Sequence, residues 1–152
     1  MLPRPVLQLI AHDIRSRENV GALFRISDSL GVHKLWLTGY TVCPPDPKLA
    51  KVALGAENTV VWEQRLDVHA LIKELRIQSI SVHALELAQG AVDLAEFLAP
   101  PQLALLVGNE RTGISPSLLS VCDGMIKITQ HGRKESLNVS VATGIAAWAI
   151  LN

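Results

Sequence analysis

Three short clusters carry the residue types that could do chemistry in this chain. The first holds Asn19, Gly21 and Arg25, an amide, a glycine and a guanidinium one helical turn beyond that glycine. The second is Gly108-Asn109-Glu110-Arg111-Thr112-Gly113-Ile114-Ser115, which puts the Glu110 carboxylate directly after the most apolar run of the sequence. The third runs from Ile128 through Thr129, Gln130, His131, Gly132, Arg133, Lys134 and Glu135 to Ser136-Leu137-Asn138-Val139-Ser140, a polar, basic loop entering an apolar helix. Arg15, Arg17, Arg25, Arg111, His131, Arg133 and Lys134 all lie in or beside these clusters. Brought together by folding, they would give a local basic site suited to a phosphate backbone.

Simpler roles exist for the same residues. Asn19 is placed to cap a helix, Gly113 to supply positive φ, Ser115 to cap the next helix, and Ser136 or Asn138 to cap the last. Other chemistries lack their residues. The glycine spacing of the second cluster mimics a phosphate-binding loop, but Ile114 stands where that loop needs lysine. No G-x-G-x-x-G follows a strand, and there is no G-x-S-x-G elbow. Cys43 and Cys122 form neither a C-x-x-C pair nor a ligand spacing with the histidines, so the reading includes no metal.

The elements that must position the clusters alternate. Apolar runs predict strands at residues 6–11, Lys34–Thr38, 59–62, 80–85, Gln102–Val107 and 125–129. Helical periods predict helices from Asn19 to Leu30, over residues 68–75, from Ser115-Pro116 onward, and from about Leu137 to the end. Cys43-Pro44-Pro45-Asp46-Pro47 reads as a loop. This rhythm predicts an α/β fold, a mostly parallel sheet with helices on both faces, whose ligands bind outside the carboxyl ends of the strands. Gly21 in a helix start predicts a close approach by another group. The last helix is apolar nearly all round, which predicts burial against the sheet and a second subunit.

Length and composition set the outer bounds. The chain has 152 residues, 49% of them hydrophobic and 18% charged, so one folded domain over residues 1–152 is expected. Fourteen basic and fourteen acidic side chains cancel, which excludes a protein that works through a strong overall field. The start has no apolar signal segment, and residues 139–151 are too short to span a bilayer. The expectation is a cytoplasmic protein with no membrane partner.

In this order the clusters resemble the three motifs of the SPOUT superfamily, in its SpoU/TrmH branch of RNA 2′-O-ribose methyltransferases. N-x-G-x-x-x-R is matched by Asn19, Gly21 and Arg25, strand-G-x-E-x-x-G by Gly108, Glu110 and Gly113, and S-L-N-V-S-V-A by Ser136 to Ala142 without a break. The I-P-M-x-G that usually precedes the third motif is here Ile128-Thr129-Gln130-His131-Gly132.

The resemblance implies a C-terminal deep trefoil knot and a homodimer with its active site at the subunit interface. It implies S-adenosylmethionine (AdoMet) as cofactor, held mostly by main-chain groups of Leu85, Val107, Gly108, Ile128, Ser136 and Leu137. The implied substrate is RNA, tRNA ahead of rRNA and not DNA, approached by Arg15, Arg17, Arg111, Arg133 and Lys134. The residue matching Arg25 is assigned to activating the ribose 2′-hydroxyl, with Asn19, Glu110, Ser136 and Asn138 orienting it. A guanidinium holds its proton firmly and is a poor base, so two roles stay open: a deprotonated base, or a cation that stabilises the forming alkoxide. The competing expectation is a knotted RNA-binding or assembly protein without catalysis.

Overall fold

The computed structural model describes residues 2–152. Seven strands form one sheet in which every pair is parallel: β1 (Val6–His12), β2 (Lys34–Thr38), β3 (Trp62–Arg65), β4 (Ser81–Leu85), β5 (Val92–Asp93), β6 (Gln102–Val107) and β7 (Gly124–Lys127). Their order across the sheet is β3-β2-β1-β6-β4-β7-β5. Four helices, α1 (Arg17–Leu30), α2 (Pro47–Ala53), α3 (Val68–Ile77) and α4 (Pro116–Val121), lie between strands, and α5 (Val139–Leu151) follows the last one.

Alternation along the central strands sorts the side chains into two cores. Leu7, Leu9 and Ala11 of β1 and Leu103, Leu105 and Val107 of β6 face α1, α2 and α5, meeting Val20, Leu23, Phe24, Leu49, Ala146 and Ile150. Ile10, Ala104 and Leu106 point the other way, onto Val68, Leu71, Ile72 and Leu75 of α3 and Leu118 of α4. A strand buried on both faces can afford no polar residue in its middle, which is why residues 103–107 are apolar without a break. The α/β class with helices on both faces is thus the observed one.

Several boundaries differ from the sequence reading, each for a local reason. Residues 59–61 are not a strand, because a 3-10 turn over Ala56–Asn58 brings the amides of Thr59 and Val60 onto Ala56 O, and β3 starts at Trp62. The proline-rich loop ends in a helix: the Asp46 carboxylate accepts from the amides of Lys48 and Leu49, and Pro47 occupies the first helical position. Asn19 is not the cap of α1. Ser16 is, with its hydroxyl accepting from Asn19 N at 3.1 Å, so the Asn19 side chain is released for other use. Asn138 caps α5, as one reading of the third cluster had it, and Ser136 does not.

The group that approaches Gly21 is helix α2. A Cβ at Gly21 would lie 2.5 Å from Leu49 O and 2.9 Å from Val52 Cβ, so the two helices meet backbone to backbone. Helix α5 is buried on one side only. Ala146, Ala147, Ile150 and Leu151 face the core, while Val141, Ile145 and Trp148 are 50%, 43% and 60% exposed. Among the described residues no helix is long and apolar enough to cross a membrane.

Candidate functional site

The carboxyl ends of β4, β6 and β7 open on one edge of the sheet, where the following loops enclose a cleft of about 180 Å³. Leu85 and Glu86 line it from β4, Val107 and Gly108 from β6, Ile128 from beyond β7, and Ser136 and Leu137 from the segment leading to α5. All the residues proposed from sequence to hold a cofactor therefore share one cavity. Its walls mix aliphatic side chains with peptide groups. The main-chain groups of residues 130–137 bond to no other backbone group among the described residues, leaving donors and acceptors at the rim.

The second cluster folds into a tight turn against this cleft. Gly113 N donates to Asn109 O at 2.9 Å, and Asn109 Oδ1 accepts from the amides of Arg111 and Thr112 at 2.8 and 3.0 Å. Gly113 has φ +65° and sits so close to Glu86 that a Cβ would stand 2.5 Å from its Oε2. A Cβ on Gly108 would come within 2.5 Å of Ile114 Cγ1 and 2.9 Å of Gly113 O. Gly108 is thus required by packing inside the turn and Gly113 by its left-handed φ, whatever binds beside them. Glu86 braces the same turn by accepting from Ile114 N at 3.0 Å.

Glu110 points out of the turn toward α1. Its Oε2 accepts from Arg15 N at 2.9 Å, and its Oε1 accepts from Ser16 N and Asn19 Nδ2, both at 3.0 Å. Partial burial, the largest single influence, pushes the carboxyl pKa up. The hydrogen bonds from Asn19, Arg15 and Ser16 together outweigh it and hold the pKa below the ordinary glutamate value. Asn19 Oδ1 accepts from Asn138 Nδ2 at 3.2 Å, and Asn138 Oδ1 accepts from Ser140 N at 2.9 Å as it caps α5. One chain of side-chain hydrogen bonds therefore joins all three clusters, from Glu110 through Asn19 to Asn138.

Not every proposed site residue enters that chain. Arg25 lies exposed on α1 and makes no hydrogen bond or ion pair among the described residues. Ser136 lines the cleft without a hydrogen bond of its own. Arg17 is committed to Asp46, Nε to Oδ2 at 2.8 Å, which ties the start of α1 to the cap of α2 instead of offering a free cation. Arg15 and Arg111 are exposed beside Glu110, and Arg133 and Lys134 are exposed on the segment between β7 and α5. Sequence reasoning missed Glu86, Asn109 and Gln130, which also line the cleft. Glu86 could have been found, since it is the first residue beyond β4 at the edge where ligands bind.

Comparison with known proteins agrees with the geometry. The family model described as SpoU rRNA Methylase matches residues 6–148. The 23S rRNA (guanosine-2′-O-)-methyltransferase of Neisseria meningitidis serogroup B is 31% identical over 144 residues, which cover 95% of this chain and 57% of that protein. The AdoMet-bound rRNA methyltransferase from Sinorhizobium meliloti superposes with a TM-score of 0.90 at 26% identity, over 97% of this chain and 56% of that one. A structure described by the 2-OH methylation of C/U34 on tRNA superposes with a TM-score of 0.85 at 27% identity, over 96% of this chain and 94% of that one. The chain therefore spans little more than half the length of the first two and nearly all of the third.

Proposed function

Since the chain belongs to the SpoU rRNA methylase family, we propose that it transfers a methyl group from AdoMet to a ribose 2′-hydroxyl of structured RNA, tRNA in preference to rRNA. The observation that carries this reading is the single cleft in which Leu85, Val107, Gly108, Ile128, Ser136 and Leu137 meet, beside the hydrogen-bonded trio Glu110, Asn19 and Asn138. The preference for tRNA rests on the similar chain of nearly equal length, which is described by methylation of tRNA. Such a protein works in the cytoplasm.

The residues present suit AdoMet. Aliphatic side chains of Leu85, Val107, Ile128 and Leu137 offer faces for an adenine ring, and peptide groups along residues 130–137 offer its hydrogen-bond partners. Bound there, AdoMet would supply a methyl carbon made electrophilic by its sulfonium. The remaining work falls to this chain. Gly108 lets the turn after β6 close tightly on Ile114 and Gly113, which shapes this wall of the cleft. Glu110 fixes the entry to α1 through two amides and fixes Asn19 through its amide group. Asn19 and Asn138 hold the third motif against the first. As the 2′-oxygen bonded to the methyl carbon and the carbon–sulfur bond broke to leave a neutral thioether, the hydroxyl proton would pass to water, and the Arg25 guanidinium would donate to that oxygen and stabilise its charge. We take the cationic role for Arg25 because guanidinium groups stay protonated in proteins.

The same reading gives α5 a partner. Val141, Ile145 and Trp148 recur at the spacing of one helix face and stay exposed, so a second copy of the chain covers them. It also takes the crossing of residues 128–138, from β7 to a helix packed on α1 and β1, as the threaded part of a trefoil knot.

The test is methyl transfer from labelled AdoMet into total tRNA and, separately, into rRNA, followed by nucleoside analysis. A 2′-O-methylated nucleoside from the tRNA pool is the expected result. Incorporation on a base, or saturable AdoMet binding with no incorporation into either pool, would overturn it.

A further inference from the structure

We propose that the ring of Tyr40 is the platform on which an unpaired RNA base stacks beside the target ribose. This rests on the RNA reading above and adds a specificity-determining residue to it. Tyr40 follows β2 at the sheet edge that carries the cleft, and its ring is 62% exposed. Exposure alone would mean little, but this side chain is held. Tyr40 N donates to Asp13 Oδ1 at 3.0 Å. Asn109 Nδ2 donates to Tyr40 Oη at 2.7 Å and to Asp13 O at 2.9 Å. Asn109 itself lines the cleft between Gly108 and Glu110, so one side chain separates the Tyr40 hydroxyl from the cavity.

The backbone beneath is arranged at some cost. Asp13 has φ +52° and Gly39 φ +62°, and a Cβ on Gly39 would overlap the Asp13 carboxylate. Such left-handed conformations outside glycine persist where the surroundings fix them. Here they lie directly beneath the exposed Tyr40.

The other aromatic rings are occupied. Phe24 and Trp36 are buried, Trp62 packs edge-on against Phe24, and Phe97 packs against His83. Trp148 belongs to the exposed stripe of α5. Tyr40 alone is both exposed and bonded to a residue of the cleft. Arg15 and Arg111 belong to the same corner of the molecule, since the amide of Arg15 binds Glu110 and that of Arg111 binds Asn109 Oδ1, and both residues are exposed. A fixed aromatic face with exposed cations in the same corner supplies the two elements that grip single-stranded nucleic acid, cations for phosphates and a ring for a base. Sequence-selective RNA recognition works on such splayed-out bases.

The test compares wild type, Tyr40→Ala and Tyr40→Phe in equilibrium binding of unmodified total tRNA over a series of salt concentrations, with AdoMet affinity and Tm as controls. Tyr40→Ala weakens tRNA binding about tenfold, the scale of one lost base–aromatic stack. Tyr40→Phe, which keeps the ring and loses the bond to Asn109, restores affinity to within about threefold. The salt slope stays the same in all three, because stacking releases no counterions. Equal losses in Tyr40→Ala and Tyr40→Phe would assign the effect to the hold on Asn109 and overturn the proposal, as would unchanged binding in Tyr40→Ala. Failure of the catalytic reading would show instead in the wild type, as RNA binding without methyl transfer, and the comparison of the two variants would still decide the role of the ring.

Discussion

Asn19 and Glu110, 91 positions apart in sequence, are joined by a 3.0 Å hydrogen bond from Asn19 Nδ2 to Glu110 Oε1. The other end of the same amide accepts from Asn138, 119 positions away from it. A carboxylate after the central strand, an amide in the first turn of α1 and the cap of the last helix are thereby set in one geometry. The Glu110 carboxylate is the anchor, because its two oxygens also take the amides that open α1.

Replacing Glu110 by Gln tests that anchor through pH. The substitution places an NH2 group where Oε2 or Oε1 now accepts, facing an N–H with another donor. Stability at pH 7 falls by about 1–2 kcal/mol, reduced from the usual value of charged hydrogen bonds by partial exposure. The folded pKa of Glu110 is depressed, so its contribution is complete above about pH 4.5 and is lost as pH falls through the lower folded value. Denaturant titrations at several pH values should show wild type and Glu110→Gln converging below pH 4.5. A constant gap down to pH 3 would contradict the assignment.

Arg25→Ala separates binding from catalysis. Arg25 has no bonded partner within the described chain, so its removal leaves Tm and AdoMet affinity unchanged. Loss of a donor at a developing oxyanion costs about 100- to 1,000-fold in kcat. Calorimetry with AdoMet and single-turnover methyl transfer on the same preparation would check both halves. Undiminished transfer would remove Arg25 from the mechanism.

Gly21→Ala probes packing away from the cleft. Alanine is the better helix former by about 1 kcal/mol, but its methyl would meet Leu49 O at 2.5 Å. Backbone contacts yield little, so overpacking at about 1–3 kcal/mol wins and α1 and α2 move apart. The expected result is a Tm lowered by several degrees. A Tm equal to or above that of wild type would show that the two helices can separate freely.

Trp148→Glu addresses the outer face of α5. A carboxylate at the C-terminal end of the Val141, Ile145 and Trp148 stripe must be desolvated if a second copy covers it. Sedimentation equilibrium should find wild-type dimers and a monomeric variant with the same circular dichroism. A monomeric wild type would end the dimer reading.

What the sequence disclosed followed the range of the forces involved. The cap at Ser115 and the buried strand Gln102–Val107 are set by residues next to them in the chain and could be read directly, and the cap of α5 could be narrowed to Ser136 or Asn138. Asn19 was assigned to capping because its local geometry allows that. The structure uses Ser16 instead, and Glu110, on the loop after the neighbouring strand β6, takes the Asn19 amide. Helix α2 hid among prolines until Asp46 and Pro47 were recognised as its cap and first residue. Strand β5, two residues long, has no periodicity to detect. The three motifs were visible as separate strings, but the bonds that join them, and Tyr40 above them, depend on contacts no local pattern records.

The position of β1 between β2 and β6 has a consequence for how the molecule is made. Translation delivers β1 and β2 early, and α1 can then cover one side of them. The other edge of β1 must wait for Gln102–Val107 to emerge, about 5–20 s later at ordinary rates of elongation. Until then the nascent chain carries an unpaired apolar edge, open to a neighbouring strand. Synthesis of β6 therefore closes the last open edge of β1, and with it that window for mispairing.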